Sequence, residues 1–344
     1  MQKKHIYFID YLRVIAVVSV IFSHIIANTN SYYDINIYNS NMFFLYDLLL
    51  NLSLIAVPIF LMITGYLLLD EERYFSFNKM FKCYFLKCML IIIIFGTSFN
   101  CIEAIFNTHS FNIESIFKSF IDAIGGKSWN HMWYMYMLLV MYLLIPIFRK
   151  LVKNLDDKEY IYLLLLILLF NICFKLSKLT EWTTEYFQIK GIYIFYLLIG
   201  DFIRRYKKEI VIKYKKIYIL IGILIVGICS IVKDIYHIEF LQNFLAYDGL
   251  FLAILAITIF LVFVEKGDDI KCNKLISSIS NASFGIYIIH MFFVNIIVKF
   301  TKINFYKWGI MSLFTFMLEF ILIFTITYGV TLILKKIPIT NKLL

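Results

Sequence analysis

FIDYLRVIAVVSVIFSHII (Phe8–Ile26) decides how this chain folds. The stretch is apolar enough to sit in a bilayer, yet it carries Asp10, Arg13 and His24. An ionisable residue within a membrane helix costs about 2.5–3.5 kcal/mol on insertion scales, so each one calls for a partner or a task. Asp10 and Arg13 are three residues apart and can pair on one helical face. Arg13 and His24 are eleven apart. At about 100° per residue that spacing falls within about 20° of three full turns, with His24 about 16 Å further along the axis. All three share one stripe. Two readings stand at this point: an interfacial ion pair that ends the helix plus an interfacial histidine, or a functional stripe inside a bundle.

The rest of the chain is of the same kind. Of 344 residues, 62% are hydrophobic and 16% charged, and mean hydropathy is +0.82, too apolar to cover the surface of a soluble domain. Runs such as Met89–Phe95, Leu163–Leu169 and Phe320–Val330 read as membrane segments. The only prolines are Pro58, Pro146 and Pro338, and there is no low-complexity tract, long polar linker or clear repeat. The expectation is an all-α polytopic protein with one membrane domain over 1–344. Its ten helices fall at 6–27, 42–69, 82–101, 132–148, 160–174, 191–203, 217–232, 248–264, 283–298 and 308–334.

The formal charge of +10 suggests a nucleic-acid partner, but its distribution argues for lipid instead. Segments on the side of the N-terminus hold 22 Lys and Arg, and those on the other side hold 9. By the positive-inside rule both termini are cytoplasmic, and the basic charge meets anionic lipid heads. The cluster from Arg204 to Lys216 reads most simply as a topology anchor, with a grip on ligand phosphates as the alternative. Asp10 and Arg13 interrupt any signal-peptide core, and no small-residue cleavage site follows. The cysteines at 83, 88, 101, 173, 229 and 272 form no CxxC pair and read as apolar filler; no metal site is expected.

A second polar stripe lies in the ninth helix. Ser280, Ser283, Tyr287 and His290 follow i, i+3, i+7 and i+10, one helical face, with Ser283 placed to cap its start. Such a stripe serves as interhelical glue or lines a polar cavity. Trp133, Tyr134 and Tyr136 open the fourth helix as an aromatic belt, with His131 at the same interface. Glu103, Glu114 and Asp122 lie in a 102–131 segment read as a solvated loop, and Glu319 sits in mid-helix without a nameable partner.

At these residues the sequence resembles the acyltransferase 3 family of membrane acyltransferases. Asp10, Arg13 and His24 match the family's opening signature. VPIFLMITGYLLL (Val57–Leu69), NHMWYMYMLLVMYLLIPIF (Asn130–Phe148) and SNASFGIYIIHMFFV (Ser280–Val294) are similar to its later segments, in order and nearly end to end. The resemblance implies transfer of an acyl group, acetyl or succinyl, from cytosolic acyl-CoA to a hydroxyl of an extracytoplasmic or lipid-linked glycan. It implies Arg13 and His24 as the functional pair. Where the family often has an arginine-rich approach to the third helix, this chain has NKMFKCYFLK (Asn78–Lys87). Lys79 and Lys82 would then hold CoA phosphate as point charges, without arginine's bidentate fork.

The chemistry suits these residues. A neutral imidazole can take a hydroxyl proton near pH 7, which makes His24 the candidate base, with an acyl-imidazole as the variant. Arg13 would grip the donor or balance charge on the carbonyl oxygen, Asp10 would fix Arg13, and His290, Tyr287, Trp133 and Tyr134 would place the acceptor. The rival class is a glycan or amino-acid transporter or flippase, which would show repeated halves with paired broken helices; none is visible.

Overall fold

The computed structural model describes residues 5–33, 40–73, 76–108, 112–177, 191–209, 215–267, 269–271, 273–300 and 304–344. Among the basic residues counted above, Lys3, Lys4, Lys178, Lys190, Lys213 and Lys302 lie outside the described residues, as does Cys272. The described residues form helices and no strands: α1 (Tyr7–Tyr32), α2 (Ser40–Ser53), α3 (Ala56–Leu68), α4 (Phe77–Met80), α5 (Leu86–Ile91), α6 (Thr97–Thr108), α7 (Ile113–Ile124) and α8 (Trp133–Asn154). They continue as α9 (Asp157–Ser177), α10 (Ile192–Arg205), α11 (Lys215–Tyr236), α12 (Glu239–Leu245), α13 (Leu250–Glu265), α14 (Lys274–Asn295), α15 (Ser312–Leu334) and α16 (Pro338–Leu343). The chain forms two compact units, Met1–Asp70 with Leu155–Tyr328, and Glu71–Asn154 with Gly329–Leu344.

Departures from the expected helix ends have local causes. The expected 42–69 helix breaks into α2 and α3 at Leu54–Ile55. Pro58 has no N–H to give the carbonyl four residues back, at Leu54, so the ladder lapses there. The ninth helix starts at Lys274 rather than 283. Asn273 caps it, its side chain accepting from the amides of Leu275 and Ile276, and Ser283 lies inside the helix.

In the larger unit, helix directions follow from which ends meet. Asp47 and Asn51 of α2 bond to Lys233 and Ser230 of α11, an antiparallel pair. Asp157 and Tyr160 near the start of α9 meet Tyr206 and Leu198 near the end of α10, again antiparallel. Asp70, just past α3, pairs with Arg204 at the end of α10 at 3.2 Å, so α3 and α10 run the same way. Nine segments of the described residues are long and apolar enough to cross a membrane, and α10, at 14 residues, is not among them. Three of the nine fall between α3 and α10 in sequence. α10, too short for that criterion, runs parallel to α3 in the larger unit.

Two glycines let α3 and α10 approach backbone to backbone. A Cβ on Gly65 would stand 1.8 Å from the Leu197 carbonyl oxygen, and one on Gly200 would stand 2.2 Å from that of Met62. Close approach through small residues is the main source of helix adhesion where lipid cancels the hydrophobic drive.

In the smaller unit, Cys88 donates to the Met135 carbonyl at 3.3 Å, and Tyr84 rests on Tyr142. The 102–131 segment, expected as a solvated loop, is largely helical. α7 folds back along α6, with Asn100 Nδ2 donating to the carbonyls of Ser119 and Lys127. Its small residues Ser119 and Ala123 are buried, while Ile113, Phe117, Ile121 and Ile124 form an exposed apolar stripe. The periodicity of ESIFKSFIDAI was the overlooked signal.

Gly65→Ala should lower thermal stability in detergent by about 1–3 kcal/mol or more, because backbone oxygen cannot rotate away from the new methyl. Gly329→Ala, whose Cβ would meet nothing within 4 Å, should leave the melting temperature level or slightly raised. Equal melting temperatures for the two variants would refute the close crossing.

Candidate functional site

α1 and α14 come from opposite ends of the sequence and lie side by side in the larger unit. Ser277 and Ser280 of α14 donate to Asp10 of α1 at 2.8 and 2.7 Å. Further along, the rings of His24 and His290 stand 5.1 Å apart, centroid to centroid. Further still, Asn28 donates to Asn295 at 2.8 Å, and Tyr33 to the Val298 carbonyl at 3.0 Å. The contacts advance in the same direction along both helices, so α1 and α14 run parallel. Their shared seam carries polar groups from end to end.

Asp10 and His24 of the α1 stripe both face α14, and the expected partner of Asp10 is corrected. Asp10 is buried, and its hydrogen bonds come from His5, Ser277 and Ser280. The expected Asp10–Arg13 pair is not among them. Hydroxyls across the seam and the His5 ring reach both carboxyl oxygens directly. Asp10 thus ties α1 to α14. Arg13, half-buried, lies one turn further along the same face.

The α14 stripe is buried throughout: Ser280, Ser283, Tyr287 and His290 all lie inside the protein. His290 Nδ1 is 2.6 Å from the Tyr287 carbonyl oxygen. A carbonyl only accepts, so Nδ1 carries the hydrogen, and in the neutral ring Nε2 is the basic nitrogen. The Tyr287 ring lies 5.9 Å from that of His290. His24 is half-buried on α1. The structure therefore brings together His24, His290 and Tyr287, three of the expected site residues.

The other expected residues belong to the smaller unit. Trp133 and Tyr134 open α8 with their rings edge to face at 6.1 Å; Tyr134 is buried and Trp133 half-buried. Lys79 and Lys82 are exposed, Lys79 at the end of the short α4 and Lys82 in the wide turn that follows. His131, expected at the interface, is fully buried beside Phe99, which stacks on Trp129 at 4.6 Å. Glu103 and Glu114 are exposed on α6 and α7.

Two further readings resolve in the larger unit. The side chains of Arg204 and Arg205 both clamp the buried Asp201, at 2.8 Å each, which makes them part of the α9–α10–α3 scaffold. Glu319 is buried on α15 in electrostatic reach of Tyr46, and neither carboxyl oxygen has a hydrogen bond among the described residues. Sequence reading passed over Asp47, Asn51, Ser230, Lys233 and Asp234, which meet between α2 and α11. The i,i+4 spacing of Asp47 and Asn51 in an apolar helix was the available signal.

No curated protein and no solved structure matches the chain. The acyltransferase 3 family model, described as an acyltransferase domain, matches residues 6–336, from the start of α1 to just past α15. With the helical membrane architecture and the α1–α14 seam inside that stretch, the chain belongs to the acyltransferase 3 family of membrane acyltransferases.

Proposed function

We propose that this protein is a multi-pass O-acyltransferase of the plasma or inner membrane. It moves an acyl group, acetyl first among the candidates, from cytosolic acyl-CoA to a hydroxyl of a cell-surface or lipid-linked glycan. The observation that carries this reading is the His24–His290 pair, 5.1 Å apart in a buried polar seam of a chain that belongs to an acyltransferase family. Two imidazoles inside a membrane bundle are costly as glue and useful as proton carriers.

In this mechanism the glycan hydroxyl gives its proton to His24 as its oxygen attacks the thioester carbonyl. The C–S bond then breaks, and the proton on His24 goes to the departing CoA sulfur. His290, its Nδ1–H engaged by the Tyr287 carbonyl, offers Nε2 to orient the hydroxyl or the His24 ring. Arg13 lies about 16 Å from His24 along α1, so it serves the donor's cytoplasmic part rather than the reacting carbonyl. Lys79 and Lys82 are candidates for the CoA phosphates. The ten helices expected from the sequence and the 22-to-9 Lys/Arg imbalance support cytoplasmic termini, the sidedness that lets acyl-CoA enter beside Arg13.

His24→Ala and Arg13→Ala should each cut transfer from labelled acetyl-CoA by about 10²–10⁴-fold for a lost proton carrier or donor clamp, with normal protein levels in the membrane. Full transfer by both well-expressed variants would dismiss the catalytic assignment. His290→Ala should lower turnover far more than stability, since a merely adhesive contact of this kind averages about 0.6 kcal/mol; a changed melting temperature with intact turnover would make it glue. A cysteine introduced at position 34, in a background lacking the native cysteines, should react with an impermeant thiol reagent from outside. Labelling only from the cytoplasmic side would reverse the topology.

A further inference from the structure

α7 hides its small residues and shows its large ones. Ser119 and Ala123 are buried on the side of α6, while Ile113 is 85% exposed, Phe117 67%, Ile121 50% and Ile124 54%. At about 100° per residue these four fall within about 80° of one another, one continuous apolar stripe. Glu114 and Lys118 lie exposed on the neighbouring stripe, so polar and apolar residues are sorted along the helix.

Two contacts give the depth of α7 in the membrane. Its last turn meets Gly96 in the long apolar segment Phe77–Asn107: a Cβ on Gly96 would stand 3.2 Å from that of Ala123. Gly96 is fourteen residues past the exposed Lys82, a rise of about 20 Å. From the other flank, the Tyr136 hydroxyl of α8 donates to the Ala123 carbonyl at 2.5 Å. Tyr136 stands thirteen residues before Arg149, again about 20 Å. Arg149 Nη2 donates to the Arg73 carbonyl at 3.1 Å, which holds the basic end of α8 beside the segment leading into α4. The hydrocarbon core of a bilayer is about 30 Å thick. The end of α7 therefore lies about 10 Å inside the opposite face. Phe117, Ile121 and Ile124 come to the level of acyl chains, and Ile113 and Glu114 to the level of headgroups.

The end of α7 is built for such a place. A helix that ends in water can leave its last carbonyls to solvent. Here the amides of Gly125 and Lys127 donate to the carbonyls of Ile121 and Asp122, each at 2.8 Å, and Tyr136 serves Ala123. Asn100 Nδ2 serves the carbonyls of Ser119 and Lys127, and Gly126, at φ +81°, turns the chain. Irregular backbone at membrane depth persists where protein supplies its partners in this way.

We propose that α7 is a re-entrant membrane helix whose Ile113–Ile124 stripe is covered by the acyl chains of lipids in the leaflet away from Lys82 and Arg149. Depth selects the occupant, because the stripe carries no charge and lies where acyl chains are the surrounding medium. The segment joining Phe77–Asn107 to α8 thus turns within the bilayer instead of standing above it. The proposal goes beyond the acyltransfer reading and does not depend on it.

Spin labels on single cysteines test it in phosphatidylcholine vesicles, using the full-length protein in a background lacking the native cysteines. Labels on Phe117→Cys and Ile121→Cys should collide more with oxygen, which dissolves in lipid, than with a water-soluble nickel chelate. The label on Glu114→Cys should reverse that ratio. A ratio equal at all three positions overturns the proposal, since a helix in water gives that result. Labels at 117 and 121 shielded from both reagents also overturn it, because protein then covers the stripe, whether the larger unit or a second copy of this chain. The unaltered protein supplies a second measurement should the cysteine-free variants fail to fold. Phosphatidylcholine with a diazirine in its acyl chain should, on illumination, attach within 117–124 as well as at the exposed Leu90 and Ile94. Adducts at Leu90 and Ile94 with none on α7 overturn the proposal.

Discussion

Asp10 sits where water cannot reach it, and its carboxyl group has to be satisfied by protein. Two serines of α14 and one histidine do so, and this sets the register of α1 on α14. Once Asp10 is anchored, the shared direction of the two helices carries His24 to His290 and Asn28 to Asn295. A slip of one residue would turn every one of these groups by about 100° toward apolar neighbours or lipid. The cost of burying polar groups therefore acts as an alignment device, with the two imidazoles as its product.

The α3–α10 crossing supplies a different kind of constraint. Gly65 and Gly200 remove the side chains that would hold the backbones apart, and Asp70 with Arg204 closes the pair at its end. α3 also packs against α1, so the close crossing backs the helix that bears His24. Van der Waals contact does here what the hydrophobic effect cannot do among lipid tails.

Much of this was legible in the sequence, for identifiable reasons. The α1 and α14 stripes showed because charged or hydroxyl residues at helical spacing stand out against an apolar background. The order of the apolar helices showed because apolar runs are bounded by basic residues. Partnership was not legible. Asp10 had Arg13 three residues away and Ser280 at 270, and spacing rules favour the near neighbour. α7 was hidden because its apolar residues face outward, so that a mixed segment passed for a loop. The Asp47 cluster was hidden because Lys233 and Asp234 stand at the end of an apolar run, where charges need no explanation.

The parallel seam also governs when the site can exist during synthesis. His24 and His290 are separated by nearly the whole chain, so α1 enters the membrane long before α14 is made. Until then Asp10 and His24 lack the partners that α14 brings, and the insertion machinery must hold a helix whose polar face is incomplete. A chain cut short anywhere before Lys274 leaves that face without its α14 partners. Assembly of the histidine pair thus waits for the penultimate long helix, α14.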